Sequence, residues 1–155
     1  MAGRIQAELK QSRPIGSLEE EAYLNVQRTS NTLSQGIAEL LRSHDLTPAQ
    51  YNVLRILRGA GEDGLTASDI AGRMISRDPD VTRLVDRLEK RGLVDRWRCS
   101  HDRRVVWTRL SPAGRALIDP LDAPLDALHR RLLSHMAPEK LQTLIALLEE
   151  ARDGA

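Results

Sequence analysis

A chain of 155 residues with a formal net charge of +1 and a single cysteine, Cys99, has the length for one compact domain, or for one small domain with helices added at each end. One thiol excludes an intrachain disulfide and a metal knuckle of paired cysteines. No stretch approaches the roughly 18 consecutive apolar residues of a membrane helix, and the first residues lack the apolar run of a secretory signal, so a soluble, intracellular protein is expected.

Residues 1–16 show no sustained periodicity and contain Pro14 and Gly16, and are read as an arm. Ser17-Leu18-Glu19-Glu20 has the S-x-x-E form of a capping box, with the acidic triplet Glu19 to Glu21 at the positive end of the helix dipole. The first helix then runs to about His44, with Leu33, Ile37, Leu40 and Leu41 at helical spacing. Thr47-Pro48-Ala49-Gln50 opens a second helix, which Gly59 and Gly61 end. Thr66-Ala67-Ser68-Asp69 opens a short third helix ending near Arg73. After the connection Met74-Ile75-Ser76, Asp78 is placed to cap a fourth helix with Pro79 at its first position; Val81, Leu84, Val85 and Leu88 recur at i, i+3, i+4 and i+7, and Gly92 suits the left-handed residue past its end. Two short helices this close form a helix-turn-helix.

Leu93 to Arg98 and Val105 to Leu110 are strand-like, and the polar segment Cys99 to Arg104 between them makes a charged hairpin tip, a wing. Ser111-Pro112 starts a fifth helix carrying Leu117, Leu121, Leu125, Leu128 and Leu132, which Pro120 and Pro124 should kink or break. A last helix begins at Pro138 with Leu141, Leu144, Ile145 and Leu148.

The near-zero net charge conceals an uneven distribution. Residues 1–46, 47–76 and 110–155 are neutral or slightly acidic, whereas residues 77–109 hold ten basic side chains against six acidic ones. That local excess suits attraction to phosphate and points to double-stranded DNA as the partner. In a helix-turn-helix the start of the second helix meets base edges, which nominates Arg77, Asp80, Thr82 and Arg83, with Arg87 further along on phosphate. Asp80 is read as either a cytosine-reading acceptor or a clamp for a neighbouring arginine. On the wing, Arg103 and Arg104 are the DNA-contacting residues, and Asp102, two residues before Arg104, should share a strand face with it and orient its guanidinium by a bidentate pair for the minor groove. The leucine-rich faces of the terminal helices are too extensive for a small reading unit to cover, so a homodimer is expected, with two reading helices meeting successive half-sites.

The segment Val81 to Arg96 (VTRLVDRLEKRGLVDR), the Asp102-x-Arg104 wing and Leu110 to Leu117 (LSPAGRAL) together resemble the hallmark of the MarR family of bacterial regulators. The resemblance implies a mainly α fold with a small β-hairpin wing: a winged helix-turn-helix (47–110) flanked by an N-terminal dimerisation helix (17–46) and C-terminal dimerisation helices (111–155). It further implies a cytoplasmic, nucleoid-associated dimeric repressor of a pseudo-palindromic operator, released by a small-molecule effector or an oxidant. One departure is Arg77-Asp78-Pro79-Asp80, where members often carry small hydroxylated residues.

The effector is less well marked. A small aromatic or phenolic compound fits the resemblance, and Tyr23, Tyr51, Arg28 and His44 are considered for its pocket, though core or surface placement is the more ordinary role of each. Arg98 and His101 near Cys99 suggest a lowered thiol pKa and, as an alternative, redox sensing. His129 and His135, six residues apart, point to different helix faces, and neither a metal nor a cofactor is expected. The absence of G-x-S-x-G and of a phosphate-binding G-x-x-x-x-G-K-[ST] argues against an enzyme, leaving a winged-helix protein-interaction module without DNA binding as the other alternative.

Overall fold

The computed structural model describes residues 3–77 and 80–155. Among these residues eight α-helices run in chain order: α1 (Arg4–Glu8), α2 (Leu18–Arg42), α3 (Pro48–Ala60), α4 (Ala67–Arg73), α5 (Val81–Lys90), α6 (Pro112–Ile118), α7 (Asp122–Leu133) and α8 (Pro138–Asp153). They accompany a three-stranded antiparallel sheet of β1 (Leu65–Thr66), β2 (Val94–Arg98) and β3 (Val106–Leu110), with β3 in the centre. No helix among the described residues is long and apolar enough to cross a membrane.

Four helix starts lie where polar side chains can meet orphan N–H groups. Ser17, Thr47, Thr66 and Ser111 each accept from the backbone N–H three residues on, and Gln50 and Asp69 close reciprocal boxes. The α5 start differs from expectation. Its cap is Asp80, whose carboxylate accepts from Arg83 N–H at 3.2 Å; Asp78 and Pro79 lie outside the described residues. At the other end of α5, Gly92 has φ +71°, and the bonds Gly92 N–H to Glu89 O (2.8 Å) and Leu93 N–H to Leu88 O (3.0 Å) make a Schellman motif that turns the chain into β2.

Two further differences have local causes. The arm contains α1, whose Ile5 is buried and whose start lies against Glu21 of α2, so a single apolar residue secures a turn too short for periodicity to register. The fifth helix is broken into α6, a 3₁₀ turn over Asp119–Leu121, and α7. Pro120 sits in the break, whereas Pro124 falls in the first turn of α7, where N–H groups have no intrahelical partner to lose.

The core joins α3, α4, α5, α6 and the sheet through Val53, Leu54, Leu57, Ile70, Val85, Leu88, Val94, Ile118 and Leu121. Ser111 fastens α6 to the end of α5, its Oγ donating to Gly92 O (2.6 Å) and accepting from Gly114 N–H (3.0 Å). A Cβ on Gly114 would lie 2.1 Å from Leu93 O, so this approach of helix to strand requires glycine. At the elbow, Arg58 of α3 donates to Asp119 (2.9 Å) and to both oxygens of Asp122 (2.8 and 3.0 Å), joining α3 to the foot of α7. The outer helices are covered far less. Only Leu41 of α2 and no residue of α8 is buried, while Leu18, Tyr23, Val26, Ile145 and Leu147 stand exposed.

Candidate nucleic-acid interface

The turn between α4 and α5 is held from below. Asn52 on α3, only 7% exposed, accepts the Ile75 N–H at 2.9 Å through Oδ1, setting the connection that leads into α5. On α5 itself Thr82, Arg83 and Arg87 are exposed, as is Arg77 before it. Asp80 does more than cap: its second carboxylate oxygen lies 3.3 Å from Arg83 Nε, so of its two candidate roles the geometry displays the clamp on a neighbouring arginine. Both side chains are open to solvent, where such a pair contributes under about 1 kcal/mol. Arg83 therefore gives up little when it turns to a base or a phosphate.

The wing is a hairpin in which Trp97 faces Trp107 and Arg98 faces Val106. Its tip departs from the expected clamp. Residues 102–105 form a turn, not a strand, so alternate-residue face sharing does not apply; Asp102 Oδ1 accepts the backbone N–H of Arg104 at 3.0 Å, and Val105 N–H returns to Asp102 O at 3.0 Å. Asp102 thus fixes the backbone of the tip and leaves the guanidinium alone. Arg98 Nη1 braces the same tip by donating to Arg103 O at 2.8 Å.

The ten basic side chains of residues 77–109 divide into two sets. Arg96 is tied to Glu89, and to Asp86 at 2.7 Å, bonds that push its pKa up, Glu89 foremost, and bind the wing to the reading helix. Arg109 lies 3.1 Å from Glu62 and 5.3 Å above the Trp97 ring, and Arg91 Nη1 donates to Asp45 O at 2.6 Å. With Arg83 and Arg98 already engaged, the cationic groups without a partner among the described residues are Arg77, Arg87, Lys90, Arg103 and Arg104. The structure keeps the side chains of Thr82 and Arg104 on one groove of about 410 Å³ between α4, α5 and the wing. Ser68 of α4 also lines it, a hydroxyl visible in the sequence only as the interior of a capping box. Hydroxyls beside a guanidinium suit hydrogen bonding to nucleic acid, at base edges as well as at phosphate.

Behind the reading helix lies a second space, of about 650 Å³, bounded by α2 (Leu33, Ile37), the start of α3 (Asn52), the α4–α5 turn (Met74 to Ser76) and α7 (His129, Leu132). None of Tyr23, Tyr51, Arg28 and His44 lines it. Tyr23 and Arg28 are exposed on α2, His44 Nδ1 stays with Leu40 O (3.1 Å) and Ser43 Oγ (3.0 Å), and Tyr51 packs against the core, where burial, then Asp122, pushes its phenol up. The Cys99 thiol is held below its ordinary value, but by hydrogen bonds from the backbone N–H groups of Asp102 and His101 and not by the Arg98 or His101 side chains.

The sequence model described as the MarR family matches residues 46–106. The chain is 31% identical over 111 residues to the homoprotocatechuate degradative operon repressor of Escherichia coli, covering 72% of this chain and 74% of that protein. It is also 31% identical over 124 residues to the transcriptional repressor MdtR of Bacillus subtilis, covering 80% and 79%. Among solved structures, the MepR–DNA complex of S. aureus superposes with a TM-score of 0.77 at 26% identity over 86% of this chain and 97% of that one. A MarR transcription factor from Planctomyces limnophilus superposes with a TM-score of 0.68 at 41% identity over 87% and 98%.

Proposed function

This chain belongs to the MarR family of DNA-binding transcriptional regulators, and from that premise we propose that it acts as a homodimeric repressor that a small molecule releases from a pseudo-palindromic operator. Arg77, Thr82 and Arg83 read base edges in the major groove, Asp80 caps the reading helix and steadies Arg83, and Arg87 meets phosphate. Arg103 and Arg104 reach the flanking minor groove from a tip that Asp102 holds in shape. Residues 47–110 are the reading head; 17–46 and 111–155 pair two heads at a fixed separation. The protein works in the cytoplasm on nucleoid DNA.

The observation that carries this reading is where the unpartnered cations lie. Arg77 ahead of the helix, Arg87 on it, and Arg103 and Arg104 on the wing are exposed and without a partner among the described residues, while Arg58 and Arg96 behind them are engaged by carboxylates. The dimer is supported by the bare apolar faces of α2 and α8, since several exposed leucine-sized side chains at roughly 1.5–3 kcal/mol each call for a cover. The effector site is the 650 Å³ cavity, which shares Met74 to Ser76 with the turn that sets α5. Duplexes selected from a random pool should show two inverted half-sites about one helical turn apart, and affinity should fall steeply with salt. Binding that ignores salt would turn the assignment toward a protein-interaction module.

A further inference from the structure

Among the described residues the wall of the cavity behind α5 carries no lysine, arginine, aspartate or glutamate; its only titratable side chain among them is that of His129, and leucine, isoleucine and methionine make about half of the rest. An ionised carboxylate entering it would leave water without a fixed countercharge, a cost that small polar groups do not meet. Ser34, Thr47 and Ser76 also line it, and Asn52 adds the buried side-chain amide. Ile75 N–H needs an acceptor, which fixes the oxygen of the Asn52 amide on that side and turns Nδ2 away from it. Nδ2 has no partner among the described residues and is not sealed from solvent, since no fully buried polar side-chain atom among them lacks a partner. A side chain more than nine-tenths buried thus carries an unused donor on a residue that lines the cavity.

We propose that this cavity takes an uncharged, largely apolar ligand with an acceptor oxygen that receives the Asn52 Nδ2–H, in preference to an aromatic acid. The inference rests on reading the cavity as the effector site, and narrows the chemistry of that site. The ligand draws on the same amide that holds Ile75, so its arrival is felt at the turn leading into α5.

The test compares two probes of one shape, 2-naphthamide and 2-naphthoate, titrated calorimetrically into the full-length protein, with release of a labelled operator followed by fluorescence anisotropy. The amide should bind at least about tenfold more tightly than the acid. Asn52→Asp keeps an acceptor for Ile75 but removes the donor, and should weaken the amide about tenfold. An aspartate there can itself disturb folding, so Leu132→Lys serves as the second variant: a cation on the wall should reverse the preference toward naphthoate. Equal or tighter binding of the acid by the unaltered protein overturns the inference and leaves the effector reading intact. Tight amide binding with the operator complex undisturbed supports the ligand class and sinks the effector reading instead. Binding of neither probe at millimolar concentration overturns the ligand class.

Discussion

Helices α5 and α8 are both amphipathic, yet the chain treats them in opposite ways. The ten residues of α5 bury Val81, Val85 and Leu88 against the head, whereas the sixteen of α8 bury nothing. The core under α5 is closed by α3, α4, α6 and the sheet, with Leu41 of α2 and Leu125 of α7 at its border, and the exposed face of α5 is largely charged. The outer helices expose Ile145 and Leu147 instead. The contrast teaches that the chain holds a finished reading unit and an unfinished scaffold, and that substitutions in the two should fail differently.

The largest effect should come from the scaffold. Replacing Ile145 and Leu148 together by glutamate should convert a dimer into a monomer by sedimentation and reduce operator affinity by about 10²-fold or more, because the second half-site no longer binds as part of one molecule. A dimer that survives this change would place the interface elsewhere. Within the head, Leu57→Ala, at a side chain with no exposure, should cost roughly 2–5 kcal/mol in urea unfolding without altering the residual protein's assembly. Arg104→Ala should leave both fold and dimer alone and weaken operator binding by about 1–3 kcal/mol with a shallower salt dependence. Unchanged affinity would remove the wing from the interface.

How much of this contrast was legible beforehand depended on the reach of each interaction. Ser17, Thr47, Thr66 and Ser111 were readable as caps because each bonds three residues away. The wing was readable from its strands, although β1, two residues paired to Thr108 and Trp107, is too short to carry a pattern. What escaped was partnership across distance. Arg109 finds Glu62 forty-seven positions away, and Arg96 closes on Asp86 and Glu89 only because the Gly92 turn folds β2 back beside α5. Charge counting treated these arginines as equal to Arg104, and only the fold separates them. The cavity escaped likewise, because its wall is shared among α2, α3, α7 and a turn. Strand alternation pairs Asp102 with the Arg104 guanidinium, whereas the turn that forms there gives it the Arg104 backbone N–H instead.

Smaller substitutions sharpen the same division inside the head. Asp80→Ala should remove a cap worth about 1 kcal/mol and slacken Arg83, whereas Asp80→Asn should retain most of the stability; thermal unfolding alongside operator titration separates the two roles. The least effect is expected at Asp69, whose carboxyl is held below its ordinary range first by the Thr66 hydroxyl and then by the Thr66 backbone N–H. A depressed folded pKa gives stability that is present above the unfolded value of about 3.9 and disappears as pH falls through the folded one. Asp69→Asn should therefore lose a small increment of stability near neutrality, a difference that closes as pH falls through the folded value and so flattens a small part of the acid limb of the stability profile.

The elbow at Arg58 has a geometric consequence. The guanidinium grips Asp119 and Asp122 at the foot of α7, a rod of twelve residues and so about 18 Å long. A tilt of about 10° at its foot would carry the far end through roughly 3 Å, a distance close to the rise of one base pair along the duplex. In the proposed dimer, a joint made of three ionic contacts would turn tenths of an ångström at α3 into a change of that size in the separation of the two heads.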